Sequence, residues 1–198
     1  EKAKKLLAEA GYPGGKGFPK VTFELNSGGA RNVNVALAVQ KQLKKTLNID
    51  LDFNIVPFPQ KIEDEKYARV DMFRAAWAAD YPHPENFLWL LYGKTIPESP
   101  DEPSYPNSPR YLNPKVDALY EKAIASGTQK ECYEALMEAE QLVMDDAPVI
   151  ILWYDENYRM LQSKVRDFPS TPMQQYRTFA SVYFAPPAPK ESDASEKR

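Results

Sequence analysis

Residues 74–87, RAAWAADYPHPENF, decide how the chain is read. The run at 72–79 is apolar apart from Arg74, and Ala75, Ala76, Ala78 and Ala79 surround a single Trp77. That composition predicts a core strand small enough in side-chain volume for another backbone to approach closely. The strand is expected to stop at Asp80. Tyr81-Pro82-His83-Pro84 then reads as a turn, because proline fixes φ and removes an amide donor. Glu85-Asn86-Phe87-Leu88 reads as the start of a helix. A strand that ends in a carboxylate and a loop is where open α/β sheets place their ligands. The alternative is an ordinary core strand with an acid at its solvent end.

Upstream, the pattern repeats as strand, helix, strand. Ala3, Leu6, Leu7 and Ala10 fall on one helical face, and Gly11 fits the left-handed position that ends such a helix, with Pro13-Gly14-Gly15 extending the stop. VTFELN at 21–26 alternates as a strand. Ser27-Gly28-Gly29 could suggest a phosphate cradle, but without GxGxxG or GK[ST] it reads as a strand-to-helix loop. Val33, Ala36, Leu37, Gln40, Leu43 and Leu47 then share a helix face. Ile49, Leu51, Phe53 and Ile55 alternate with Asp50, Asp52 and Asn54, which predicts a half-buried strand with its acids on the wet face rather than a metal site. Pro57-Phe58-Pro59 leads into a helix at 60–67, and 72–79 is the third strand. Two consecutive units of this kind predict an α/β fold, a mixed sheet flanked by helices.

Downstream, prolines at 97, 100, 103, 106 and 109 recur every third residue, the polyproline II period. The segment 93–112 is read as a stiff surface loop beside a binding site, the alternative being a PxxP ligand. Asn113 is a helix N-cap with Pro114 at the first helical position. Val116, Leu119, Tyr120, Ala123 and Ile124 are expected to face inward. Thr128 and Glu131 form a capping-box pattern that opens a helix running to about residue 145. The apolar run 148–154 predicts a strand, 157–161 its partner, and 178–184 a last strand. The tail 185–198 is Pro, Ser and charge, and is expected to be disordered.

The totals narrow the function. With 198 residues, 43% hydrophobic and 27% charged, the chain suits one large domain or two small ones. A net charge of −3 gives no basic field for nucleic acid. No apolar run reaches the ~18 residues that span a bilayer. One cysteine, Cys132, excludes an internal disulfide. One histidine, His83, would have to serve any His-based catalysis. Beside Asp80 and Glu85 it falls short of zinc-ligand spacing. Neither a catalytic role nor a cofactor is expected. The chain opens in helical sequence with neither methionine nor signal peptide, and is read as a fragment.

WAADYPHPENF resembles the W-x-x-D-Y-x-x-P-x-x-F segment of the peptide-type (family 5) extracellular solute-binding proteins of ABC importers. AKKLLAEAGYPGG at 3–15, LNPKVDALYEKA at 112–123 and DAPVIILWY at 146–154 are similar to further family segments in the same order. The resemblance covers about 1–184 and implies the C-terminal lobe of a type II-like, two-lobed periplasmic-binding-protein clamshell, with its return segment. By that resemblance Asp80 pairs with a peptide's α-amino group, the main chain at Ala76 and Ala78 pairs with peptide backbone, Trp77 walls a side-chain pocket, and Arg74 meets a peptide carboxylate. Pro82 and His83 depart from many relatives, which leaves metal chelates, haem and oligosaccharides as other cargo. The implied partners are peptide ligand, the permease subunits of an importer and the missing N-terminal lobe. The implied location is periplasmic or membrane-anchored at the outer cell face. Two other classes fit the same residues: the ligand-sensing module of a DNA-binding regulator, and an adhesive role for the proline-period loop. The lone lobe is expected to bind peptide weakly.

Overall fold

The computed structural model of the chain describes residues 1–156, 158–169 and 179–186. The chain divides into two compact units: Glu1–Ala78 with Pro84–Pro148, and Ala79–His83 with Val149–Arg198.

The larger unit opens with α1, Lys2–Glu9, whose Leu7 is buried. Gly11 takes φ +94° just beyond it, the conformation the sequence assigns to a helix stop. Three parallel strands follow: β1 (Val21–Asn26), β2 (Leu51–Val56) and β3 (Met72–Phe73), in the order β2-β1-β3. Val21 pairs with Leu51 and Asn26 with Val56; on the other side Phe23 pairs with Met72 and Glu24 with Phe73. The crossovers are α2 (Ala30–Leu47) and α3 (Phe58–Lys66). Leu7, Phe23, Leu25, Ala36, Ile49 and Leu51 form the core, with Val33, Val39, Leu43 and Leu47 of α2 packed against it. Leu37, expected in that face, is exposed, and Val39 takes its place. Ile55 is also exposed, at the outer edge of the sheet.

A helical layer completes this unit. Asn113 caps α5 (Pro114–Ala125), its side chain accepting from the Lys115 amide at 3.0 Å. Thr128 caps α6 (Gln129–Asp146), accepting from the Glu131 amide at 3.2 Å. The two helices pack together, burying Val116, Tyr120 and Ala123 on one side and Ala135, Leu136, Ala139 and Val143 on the other. Ile124, expected inward, is exposed. Tyr111 donates from its hydroxyl to Asp146 Oδ2 at 2.6 Å, and Asn113 Nδ2 donates to the same oxygen at 2.7 Å, so the start of α5 is tied to the end of α6. The proline-rich segment before α5 is loop and turn. Asn107 holds it, donating to the Tyr92 and Tyr111 carbonyls at 3.1 and 2.8 Å.

In the smaller unit β4 (Val165–Arg166) pairs antiparallel with β5 (Tyr183–Phe184). The Ala185 amide donates to the Lys164 carbonyl at 2.7 Å, and the Phe168 and Phe179 rings lie 5.6 Å apart. The strand expected at 148–154 is absent: residues 150–156 belong to no ladder, and Ile150, Ile151, Leu152 and Tyr154 are exposed. β-propensity needs a neighbouring strand to become a strand, and the described residues provide none there. Of its expected partner, residues 158–161 are likewise unpaired, and Asn157 lies outside the described residues. The last strand is shorter than expected, with Thr178 outside the described residues, as is 187–198 of the expected tail.

Candidate functional site

Strand β3 stops after Phe73, so most of the strand expected at 72–79 does not form. The reason lies in its neighbour. Its Phe23 and Glu24 pair with Met72 and Phe73, so two residues further on β1 ends at Asn26 and turns through Ser27-Gly28-Gly29. Arg74 still donates its amide to the Glu24 carbonyl at 3.0 Å, and beyond it the chain has no ladder to join. This segment continues from an edge strand. Among the described residues the main-chain groups of Ala75, Ala76 and Ala78 have no hydrogen-bond partner. Ala76 and Ala78 are exposed, and Trp77 between them is half-buried. The buried strand the sequence predicts is therefore an open, small-residue run with one large ring turned inward.

The ring is held. Trp77 donates its indole N–H to Asn86 Oδ1 at 2.8 Å. Asn86 belongs to α4, Glu85–Leu88, the short helix the sequence anticipates after the Pro-His-Pro turn. The neighbouring Glu85 is buried and accepts a hydrogen bond from the Tyr120 hydroxyl of α5, whose ring stacks on Tyr92 at 4.5 Å.

Arg74 rests on a buried ionic cluster that sequence patterning misses. Its Nη1 lies 3.5 Å from Asn26 Oδ1, and its Nε is buried without a hydrogen-bond partner among the described residues. Glu24, fully buried on β1, accepts from Asn54 Nδ2 at 2.7 Å. Burial pushes its carboxyl above the usual range, and the Asn54 bond opposes that. Lys61 of α3 is 2% exposed, pairs with Glu65 one turn on, and stands 5.6 Å from the centre of the Phe73 ring. Burial, with the charge of Arg74 adding to it, lowers the Lys61 pKa to about 8, against the pull of Glu24. The sequence signal was available but ambiguous: Lys61 and Glu65 stand at i, i+4, which reads equally as a solvated helix face.

Asp80, Tyr81 and His83 belong to the smaller unit, where Asp80 is exposed and the His83 amide donates to the Tyr81 carbonyl at 2.8 Å. Thus Arg74, Ala76, Trp77 and Ala78 share one unit and Asp80 falls in the other. Among the described residues no group of three or more His, Cys, Asp or Glu could hold a metal ion, and no helix is long and apolar enough to cross a membrane.

Known proteins are similar to this chain in sequence and in fold. The periplasmic murein peptide-binding protein MppA of Escherichia coli K12 is 29% identical over 167 residues, 84% of this chain and 29% of that protein. The periplasmic oligopeptide-binding protein OppA of Salmonella typhimurium is 29% identical over 164 residues, 82% of this chain and 28% of that protein. Among solved structures, the ABC transporter-associated periplasmic binding protein DppA of Helicobacter pylori, in complex with the peptide STSA, superposes with a TM-score of 0.64 at 30% identity, over 74% of this chain and 27% of that one. The chain therefore spans under a third of the length of these relatives. The profile of the bacterial extracellular solute-binding proteins, family 5 Middle, matches residues 1–99, which include the whole stretch 74–87. That match takes in half of the 198 residues, and the chain belongs to this solute-binding family.

Proposed function

We propose that this chain forms part of the substrate-binding component of an ABC importer, non-catalytic and working outside the cytoplasmic membrane, and that its cargo is peptide. The observation that carries the reading is the exposed main chain of Ala76–Ala78, continuing from edge strand β3 with its hydrogen-bonding groups unpaired among the described residues. Strand addition at such an edge gives affinity through main-chain bonds that every peptide can make, and leaves side chains to shallow pockets. Trp77 supplies a wall for one such pocket. Asp80 takes the peptide's α-amino group in a charge-assisted hydrogen bond, roughly twice as strong as a neutral one. Arg74, its Nε buried and its charge set against the Lys61 cluster, meets a carboxylate. The names of the relatives support peptide as the cargo class and the periplasm as the compartment. The permease subunits of the importer, a lipid anchor on the parent protein and a second lobe closing over the site are parts of the same proposal.

The test is a titration of the ¹⁵N-labelled chain with a pool of di- to pentapeptides, followed by amide chemical shifts. Shifts are expected at residues 76–80, with weak affinity, because one open wall leaves the ion pair in water, where it is worth little. They should vanish in Asp80→Ala and with an N-acetylated pool. Amides at 76–80 that stay unmoved by the free pool would overturn the reading.

A further inference from the structure

The side chain that best explains how the binding stretch keeps its shape is Asn86, which lies outside the set assigned to peptide. It is 1% exposed, and its Oδ1 accepts the Trp77 indole N–H at 2.8 Å. An indole nitrogen can only donate, so a half-buried one needs an acceptor in a fixed place. The acceptor is itself fixed. Its helix, α4, has four residues, too short to persist on its own backbone bonds. It is pinned instead by side chains: Glu85 takes the Tyr120 hydroxyl, and Leu88 is buried. Tyr120 stands on the twelve-residue α5 and is stacked on Tyr92. A line of contacts thus runs from α5 through α4 to the ring of Trp77.

Chain order gives that line its purpose. The larger unit is left after Ala78 and re-entered at Pro84, and Asp80 lies in the five residues between. Trp77 is the last residue but one before the departure, and Asn86 is the third after the return. We propose that Asn86 is a positioning residue for ligand capture: by holding the Trp77 indole it ties together the two ends of the segment that carries Asp80. A segment clamped at both ends has fewer conformations to lose when its carboxylate engages a ligand, which is the benefit of preorganisation. The role given to Asp80 rests on the proposed function; the clamp itself does not.

The experiment compares wild type, Asn86→Leu, Trp77→Phe and the double variant in the ¹⁵N-labelled chain. Leucine keeps the branched heavy-atom skeleton of asparagine, with bulkier methyl groups and no acceptor, and phenylalanine keeps an aromatic ring without the donor. Three readouts are taken: hydrogen exchange of the Trp77 indole proton, backbone order parameters at 79–83, and the apparent Kd for the di- to pentapeptide pool. Asn86→Leu is expected to speed indole exchange about tenfold, as a local opening would, to lower the order parameters at Asp80 and Tyr81, and to weaken peptide binding. Trp77→Phe should loosen 79–83 as well, and the double variant by less than the sum of the two, because the two changes share the Trp77–Asn86 bond. Should Asn86→Leu fail to fold, Trp77→Phe alone decides through the order parameters. Faster indole exchange with 79–83 as ordered as in wild type would overturn the proposal, as would additive loosening in the double variant. A wild-type chain that ignores the peptide pool would count against the proposed function only, since exchange and order parameters still read the clamp.

Discussion

Lys61 is an amine held where a positive charge is poorly solvated. It is 2% exposed on α3, beside the guanidinium of Arg74, and its pKa is lowered from 10.5 to about 8 by burial first and by that charge second. The unfolded chain therefore holds the Lys61 proton more tightly than the folded one. Below pH 8 both states are charged and the cost of burying the charge is constant. Between about 8 and 10.5 the unfolded state binds more protons, so stability rises with pH across that window, by at most about 3 kcal/mol. Tyr111, pushed up to about 12 by burial and its bond to Asp146, works the other way, but only above the ordinary tyrosine value of 10.0. Glu24, raised by burial, likewise opposes it, since stability falls as pH rises through its raised pKa. Urea unfolding at about pH 7.5, below that window, and at about pH 9.5, inside it, should show wild type gaining stability relative to Lys61→Met. Parallel behaviour of the two proteins would mean that Lys61 is solvated and that Arg74 has no buried cationic neighbour.

Elements formed where sequence-local rules were sufficient, and failed where a partner was required. Gly11 and Gly15 show how far the local rule reaches. Both have positive φ, +94° and +77°, so both positions disfavour a side chain. A Cβ on Gly11 meets nothing within 4 Å, whereas one on Gly15 collides with the carbonyl oxygen of Leu47 at the end of α2. Gly11→Ala is accordingly expected to cost about 1 kcal/mol of backbone strain. Gly15→Ala should cost clearly more, because backbone must move; equal urea midpoints for the two would show that the α1–α2 junction is loose. The sequence announced a turn at Pro13-Gly14-Gly15 but could not say that Leu47 sits against it. The same division runs through the sheet. Strand β1 was legible residue for residue from VTFELN, and the caps at Asn113 and Thr128 from chemistry that acts within three residues. The run at 75–78 was legible as apolar and small but not as lacking a ladder, since its fate depends on where β1 ends, at Asn26, far earlier in the chain. Asn86 carried no sequence signal as a partner for Trp77, because a bond between residues 77 and 86 follows no helical or strand period. Asp80 and Trp77 stood out in the sequence as a strand-end acid and a lone large ring, but the roles given to them came only through resemblance to a family.

At the scale of the whole chain, apolar surface is distributed unevenly. Every buried hydrophobic residue among those described lies between Leu7 and Val143, within the larger unit. The run after Pro148 holds Ile150 at 63% exposure and Tyr154 at 89%, followed by exposed Tyr158, Met160 and Leu161. Sequence VIILWY at 149–154 has high β-propensity, no charge and no proline, and in the described residues it joins no ladder. Such a segment pairs with whatever edge it meets, and an apolar patch of this kind is uncommon on a lone soluble chain. Two consequences can be measured together. A chain ending at Pro148 keeps every buried hydrophobic residue described, so its helical signal and cooperative unfolding should persist, with a midpoint within a few degrees of the longer chain's, about what 1 kcal/mol produces in a domain of this size. The full 198 residues should bind anilinonaphthalene sulfonate more strongly and show concentration-dependent association in sedimentation, both relieved by the truncation. If the shortened chain instead melted without cooperativity, the residues after 148 would be supplying part of the core. If it associated as strongly as the full chain, the adhesive surface would have to be sought in the larger unit, at the exposed Leu112, Ile124 and Met137.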